Sequence, residues 1–539
     1  MFSGIPMMNR PQSVGEALVA LLADYGVEMV FGIPGTHSIE LYRGLEGSPV
    51  RHISPRHEQG GGFMADGYAR VSGKPGVCFV ITGPGVTNLS TPLGEAYMDS
   101  VPMLVISPVN DPDPDGINRG RLHEITSQSS VTKPLTAFSR TVRNADEIPE
   151  LVKRAFDLFH SERPRPVHIS IPLHILPEPV PSPWKATAPE KPGKAGTRDL
   201  NTARELIENA IAPVLVIGGG TTADPDIILR LADRVGCPVL STVAARGVIP
   251  DSHPLSAGAQ LRAPHVQDVL EQADLGIFLG TEFAQTDHWN DDLRLPGQQI
   301  WVNLCPTALD QRGAALAIEA DCIDFATRLA EQLDAPDPAR MAQTLRTCES
   351  ARNLHGSGFS EKEKIHWAVL QTILPHLPDQ ATITSDMTQL AYTAVDYLPM
   401  ARPNQWLHPT GYGTLGYALP AAIGAALADP SRPVLVIVGD AGLQYTMQEM
   451  TLASELGLHL VVLLWNNDAL QQICDDMDHA GIERIGIFQR NPDFVALARA
   501  CGWTARQCSG LSTLGAELEE AFDSPGPTLV KLDESSIQV

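Results

Sequence analysis

Gly439 and Asp440 open the stretch GDAGLQYTMQEMTLASELGLHLVVLLWNN, which closes on Asn466 and Asn467 and reads as one helix followed by one buried strand. Mg²⁺ takes hard oxygen donors in octahedral geometry and commonly completes its shell with phosphate oxygens. One Asp, one Asn carbonyl and a main-chain carbonyl therefore suffice on the protein's side. The pair predicts a socket for a magnesium diphosphate, and hence a cofactor. Each half alone has a plainer reading, as a turn with a capping acid or a turn after a strand. PVLVIVGDAG adds weight, because open parallel sheets place ligands at the carboxyl ends of their strands. Gly442 and the helix start that follows supply main-chain N–H groups suited to a phosphate. SDMTQLAY at 385–392 and HPTGYGTLGYALPAAIGAAL at 408–427 add hydroxyls, an amide and a glycine-rich entry into a helix.

A second feature lies far upstream, in ISPRHEQGGGFMADGYARVSGKPGVCFVITGPGVTN at 53–88. Glu58 starts a helix whose residues are too small and too apolar for an exposed surface, so its carboxylate is expected at a buried interface, where it needs a partner. Read singly, it would be one more solvated glutamate.

The elements that must position these residues are of one kind. Short apolar runs alternate with amphipathic stretches: MVFGIPG at 29–35, VCFVITGPG at 77–85, MLVISPV at 103–109, PVLVIGGG at 213–220, LGIFLGT at 275–281, QQIWVNL at 298–304, PVLVIVGD at 433–440 and LVVLLWNN at 460–467. These are buried parallel strands, and the fold class is α/β with helices flanking mostly parallel sheets. Proline- and charge-rich LPEPVPSPWKATAPEKPGKAGTRD at 176–199 and the polar region 334–363 read as linkers, giving domains near 1–180, 195–340 and 360–539. Sixty-three acids against 39 Lys and Arg give a net charge of −24, which disfavours nucleic acid or anionic membrane as the partner. Eight scattered cysteines form no CxxC pair, and no apolar run approaches the roughly 18 residues of a membrane span. A cytoplasmic protein with a small-molecule site is expected.

FGIPGTHSIELY, RHEQGGGFMADGYAR, TGPGVTN, GYGTLGYALPAAIGA, GDAG and WNN together resemble the acetolactate synthase and pyruvate decarboxylase superfamily of thiamine diphosphate enzymes, over nearly the whole chain. The order implied is a pyrimidine-binding domain, a middle domain and a diphosphate-binding domain. Ala441 stands where the usual GDG has its second glycine. The resemblance implies that Glu58 bonds the aminopyrimidine nitrogen N1′ and so activates the thiazolium carbon, and that Leu415 presses the two rings into a V. It also implies Asp440, Asn467 and the Ala469 carbonyl as Mg²⁺ ligands. Thr388, Gln389, Gly439, Ala441, Gly442 and Leu443 would meet the diphosphate, with Pro34, Gly35 and Gly413 further cofactor contacts. A homodimer at minimum, and usually a homotetramer, is implied.

Departures from relatives bear on the substrate. Pyruvate decarboxylases keep two adjacent histidines where this chain has NRGRLHEITSQ with a single His123. Acetolactate synthases carry a glutamine there, small residues where Thr36 and His37 stand, and an arginine-rich flavin-binding stretch where LGTEFAQTDHWN occurs at 279–290, so FAD is not expected. His37 and His123 are candidates for holding a carboxylate or relaying a proton, and Thr36 is a candidate substrate contact. NNDALQQICDDMDHAGIE at 466–483 offers Gln471, Gln472, Asp475, Asp476 and Asp478, either as a solvated acidic face or as a site for a cationic tail, since carboxylates pair well with a guanidinium. ELYRGL, ERPRPVHISIPL, DMTQLAY, WLHPTGYGTLGY and LLWNNDAL resemble the 2-ketoarginine decarboxylases, implying conversion of 5-guanidino-2-oxopentanoate to 4-guanidinobutanal and CO₂. A carboligase with the same cofactor, or a non-catalytic cofactor-binding subunit, are the alternatives.

Overall fold

The computed structural model describes residues 11–111, 119–258, 260–310 and 314–537. Three all-parallel sheets carry the chain. The first comprises β1 (Met29–Gly32), β2 (Arg51–Ile53), β3 (Gly76–Phe79), β4 (Met103–Val109), β5 (Phe138–Thr141) and β6 (Val167–Pro172), in the spatial order β2-β1-β3-β4-β6-β5. The second comprises β7 (Pro213–Ile217), β8 (Val239–Ser241), β9 (Leu275–Leu279), β10 (Gln298–Asn303) and β11 (Leu316–Glu319), ordered β11-β10-β9-β7-β8. The third comprises β12 (Thr382–Ser385), β13 (Trp406–Leu407), β14 (Val434–Gly439), β15 (Leu460–Asn466), β16 (Thr504–Cys508) and β17 (Thr528–Asp533), ordered β13-β12-β14-β15-β17-β16. The first and third sheets thus share one winding order, so corresponding strands end at corresponding places. All eight apolar runs read from the sequence are strands. Apart from Gln298, Gln299 and Val109 at strand ends, the residues of these strands are buried, as covered parallel sheets require; every residue of β14 and β15 is buried.

The chain divides into two compact units. One is Met1–His160 with Pro164–Glu190 and holds the first sheet; the other is Ser161–Arg163 with Lys191–Val539 and holds the second and third. No helix among the described residues is long and apolar enough to cross a membrane.

Part of the region 334–363, read as a linker from its polarity, is a helix, Pro338–Asn353. Asp337 caps it by accepting from the Ala339 N–H, and Pro338 stands at its first position. It is polar because its work is done by arginines rather than by an apolar stripe. Arg340 donates to the carbonyls of Ile207 and Val235 at the ends of two middle-domain helices, and Arg352 donates to Ser256 O.

Within the second unit, Arg246 joins the second sheet to the third. It is buried, and its guanidinium donates to the carbonyls of Ala394 (3.2 Å) and Leu398 at the C-terminal end of helix Gln389–Tyr397. Burial pulls its pKa down to about 10, while Asp251 and Asp396 favour its charge. Asp251 in turn accepts from the Met400 N–H at 2.9 Å. Arg246→Met strands that carboxylate and two carbonyls, so a loss of about 3 kcal/mol is expected, read as a lower urea midpoint.

Candidate active site

In the first unit the candidate residues stand beyond the carboxyl ends of parallel strands. Helix Glu58–Ser72 is buried from Gly60 to Ala69, and its glycines allow close packing: a Cβ on Gly62 would lie 2.4 Å from Pro92 Cβ. Glu58, at its first position, is 9% exposed, and its Oε2 accepts from Asn88 Nδ2 at 2.9 Å. Asn88 supplies the partner that a buried carboxylate needs. Tyr42 lies near enough that burial first, and the Glu58 charge second, push its phenol up. Its hydroxyl meets His52 Nε2 at 3.0 Å.

His37 and His123 come from different loops and meet edge to face, ring centroids 5.3 Å apart. The Nδ1 atom of each is buried without a hydrogen-bond partner, as expected of groups awaiting a ligand or a proton. Burial, then the charge of His123, holds His37 below the usual histidine range. Thr36 and Pro34 are exposed beside His37; Gly35 is part-buried, where a Cβ would come 2.2 Å from Ile81 Cδ1.

In the second unit the register of β14 on β15 pairs Gly439 with Trp465, which brings Asp440 beside the Asn466–Asn467 turn. Asp440 is buried at the start of helix Asp440–Thr446, and burial raises its pKa. Its Oδ2 accepts from Asn491 Nδ2 at 2.6 Å. That nitrogen also reaches Asn466 Oδ1 (3.0 Å) and Asp468 Oδ1 (2.8 Å), and Gln444 fixes the amide by donating to Asn491 Oδ1. Asn467 Oδ1 accepts from the Ala469 N–H at 3.4 Å, and Ala469 is buried. Asn466, Asn467, Gln471 and Asn491 line a cavity of about 780 Å³.

A Cβ on Gly439 would lie 2.9 Å from Thr388 Oγ1, so the glycine lets that hydroxyl stand against the end of β14. Asp386, fully buried, is the keystone behind it. Its carboxylate accepts from the N–H groups of Met387 and Gly416, both at 2.9 Å, and a Cβ on Gly442 would come 3.0 Å from its Cγ. Burial pushes Asp386 up to about 6, against those N–H groups. Through Asp386 the turn at 387–389, the start of helix Asp440–Thr446 and the loop of Leu415 form one block. Leu415 is half-buried, Gly413 is exposed, and Ala441 and Leu443 are buried. Oxygen donors at two strand ends, a hydroxyl and the first-turn N–H groups of a helix fit a magnesium diphosphate.

Gln389 is turned elsewhere: its Nε2 donates to Asp475 Oδ2 at 3.0 Å, and its Oε1 is buried without a partner. Asp475 is bound besides by Lys362 Nζ at 2.7 and 2.6 Å and by Gln471 at 3.0 Å, and Asp478 pairs with Arg484. Exposed Asp476 accepts from Gln472 at 3.1 Å and has no cation beside it among the described contacts.

Asn88, Asp386 and Asn491 were not singled out in the sequence. The first two lay inside motifs that were quoted, TGPGVTN and SDMTQLAY, whereas nothing near Asn491 pointed to Asp440.

A buried glutamate on a helix beside one parallel sheet, and oxygen donors with helix N–H groups at the strand ends of another of identical winding, are the arrangement a thiamine diphosphate enzyme needs. The family models agree. "Thiamine pyrophosphate enzyme, N-terminal TPP binding domain" matches residues 12–131, the central domain of the same family matches 200–329, and its C-terminal TPP binding domain matches 386–532. The chain belongs to the thiamine pyrophosphate enzyme family, with thiamine diphosphate as cofactor and Mg²⁺ as the usual partner metal. It is 47% identical to the probable 2-ketoarginine decarboxylase AruI of Pseudomonas aeruginosa, covering 98% of this chain and 95% of that protein. It is 31% identical to the acetolactate synthase isozyme 1 large subunit of Escherichia coli, over 98% and 95%, and 32% identical to the acetolactate synthase of Mycobacterium bovis, over 92% and 83%.

Proposed function

We propose that this protein decarboxylates a 2-oxo acid, 5-guanidino-2-oxopentanoate (2-ketoarginine), to 4-guanidinobutanal and CO₂. The observation that carries the reading is the His37–His123 pair with its two unpartnered nitrogens. Release of CO₂ from a 2-oxo carboxylate to leave an aldehyde consumes one proton, which such a pair delivers. The likeness to the probable 2-ketoarginine decarboxylase supports the choice of substrate.

Thiamine diphosphate, when bound, supplies a carbon nucleophile and a sink for the electrons left as CO₂ departs. The residues supply position and protons. Glu58, held by Asn88, would face the pyrimidine ring of the bound cofactor as its acid–base partner. Asp440, Asn467 and the Ala469 carbonyl hold Mg²⁺, and Thr388 with the N–H groups of Ala441, Gly442 and Leu443 holds the diphosphate. Leu415 supports the rings, with Pro34, Gly35 and Gly413 around them. His37, held below the usual histidine range by burial, accepts a hydrogen bond while His123 gives the proton to the former keto carbon.

Since Lys362 already neutralises Asp475, the guanidinium falls to Asp476, with Gln471 on the same helix as a further substrate contact, and Thr36 is the substrate candidate of the first unit. Asp476→Asn is expected to raise KM for 2-ketoarginine about tenfold, the worth of one charge-assisted hydrogen bond, and to leave apolar 2-oxo acids unaffected; steady-state kinetics on both substrates checks this. Product analysis tests the reading as a whole. 4-Guanidinobutanal from 2-ketoarginine supports it, whereas acetolactate from pyruvate without free aldehyde would overturn it in favour of the carboligase.

A homodimer or homotetramer in the cytoplasm completes the proposal. Exposed Leu122, Tyr412, Ile485 and Phe488 suit a subunit interface. Eight free cysteines suit a reducing compartment. Light scattering on the purified protein reads the subunit number.

A further inference from the structure

The core of the first sheet contains a polar seam. Ser107 on β4 pairs in register with Ser170 on β6, and His168 lies two residues before Ser170 on the same face. Ser107, His168, Ser170 and Thr132 are fully buried, and Gln128 is 3% exposed. Gln128 Oε1 accepts from the Gly83 N–H at 2.9 Å, while its Nε2 donates to Ser107 Oγ (2.7 Å), Pro108 O (2.9 Å) and Ser170 Oγ (3.1 Å). Ser107 Oγ meets His168 Nε2 at 2.7 Å, and His168 Nδ1 meets Thr132 Oγ1 at 2.7 Å, which reaches Ser139 Oγ at 2.9 Å.

The Gly83 N–H fixes the orientation of the Gln128 amide. Gly83 N–H can only donate, so the Gln128 amide presents its oxygen there and its nitrogen to Ser107. Ser107 Oγ lies between His168 Nε2 (2.7 Å) and Ser170 Oγ (3.5 Å), and Thr132 Oγ1, which meets His168 Nδ1, has Ser139 Oγ (2.9 Å) and Ser129 O (3.4 Å) as acceptors for its hydrogen. His168 bridges Ser107 and Thr132 with one ring nitrogen to each, and a neutral ring suits a buried site with no charged partner in the seam. Burial does pull it down, to about 3.

The upper end of the seam touches the proposed active site. Gly83 has φ +68°, and a Cβ there would lie 2.4 Å from His123 O and 3.2 Å from His123 Cβ. His123 itself has φ +62°. Gly83 adopts positive φ freely, whereas the left-handed His123 packed against it persists only where its surroundings over-determine it. Gln128 is the group that does so, being bonded to one and five residues along the chain from the other.

We infer that Gln128, anchored through Ser107 and Ser170 to the strand bearing His168, is a positioning residue that clamps the Gly83 turn and so sets the place of the His123 ring over the substrate. This rests on the reading of His123 given above.

A double-mutant cycle on the full-length holoenzyme tests it, with Gln128→Leu, His123→Ala and the pair. Gln128→Leu is expected to lower kcat for 2-ketoarginine about 30- to 100-fold, the scale of a misplacement near 1 Å, with KM and thiamine diphosphate affinity changed less than about twofold. The double variant is expected to be no slower than His123→Ala alone. In the cofactor-free protein, amide exchange of residues 81–85 is expected to quicken about tenfold or more while the rest of the first sheet keeps its protection. Multiplying losses in the double variant, or unchanged exchange at 81–85, would overturn the inference even if His123→Ala is impaired. A fully active His123→Ala would instead remove the functional reading, and the inference with it. If Gln128→Leu does not fold, Gln128→Asn, which keeps the amide but falls one methylene short of Gly83, is judged by the same measurements.

Discussion

Glu58→Gln is expected to lower the rate of 2-ketoarginine decarboxylation by about 10²- to 10⁴-fold, the range spanned by loss of one well-placed acid–base group. The substitution keeps the size and shape of the side chain at the head of helix Glu58–Ser72, so the close packing around Gly62 and Pro92 is undisturbed. What it removes is the ability to take and return a proton. Asn88 Nδ2 donates to Glu58 Oε2 at 2.9 Å, an arrangement made for an acceptor, and a glutamine can keep that bond through its carbonyl oxygen. The fold and the cofactor affinity should therefore survive while turnover does not. Single-turnover decarboxylation, a thermal melt and a thiamine diphosphate titration separate these effects. Wild-type turnover by Glu58→Gln would end the proposed mechanism.

Asp440→Asn is expected to raise the Mg²⁺ concentration for half-maximal cofactor retention by about 100-fold or more, at least the upper end of the cost of losing a group that only orients a metal's ligands. The carboxylate is the one formal negative charge among the three proposed ligands, so its loss weakens the pull on a divalent cation most. Its neighbours compound the effect. Asn491 Nδ2, fixed by Gln444, faces Asp440 Oδ2, and an asparagine there must either keep its oxygen toward Asn491 or turn an amide nitrogen against another. EDTA should strip thiamine diphosphate from wild type reversibly, with Mg²⁺ restoring it, and from the variant at much lower chelator concentration. Equal Mg²⁺ dependence of the two proteins would dismiss Asp440 as a ligand.

The legible parts of this site are those whose signal is local. GDAG and WNN each end an apolar run, and RHEQGGG opens a helix too small-residued to be exposed, so type and place could be read together. Strands with uniform apolar runs were equally legible. β6, VHISIP, was not among the runs read as strands, although each of its residues is buried, because His168 and Ser170 break its apolar run. β17, TLVKLD, was passed over in the same way, with Lys531 tied to Asp533 at 2.6 Å. In both strands the polar residue that hides the element takes part in a hydrogen-bond network visible only after folding.

The acidic helix shows the other limit. Asp475 and Asp476 are adjacent and alike in sequence, yet Asp475 is neutralised by Lys362, 113 residues away, and Asp476 is not. No spacing rule joins residues so far apart; the packing of helix Gln471–His479 near the start of helix Glu361–Ile373 does. The α/β class was legible in the sequence, since hydrophobic period acts over a few residues, and the cofactor was legible through the family resemblance carried by the short glycine-acid motifs. The tertiary structure decided which polar groups are already spent on one another. That choice sets Asn88 on Glu58, Asn491 on Asp440, Gln128 on Gly83 and Lys362 on Asp475, because a buried polar group must find its partner wherever the fold supplies one.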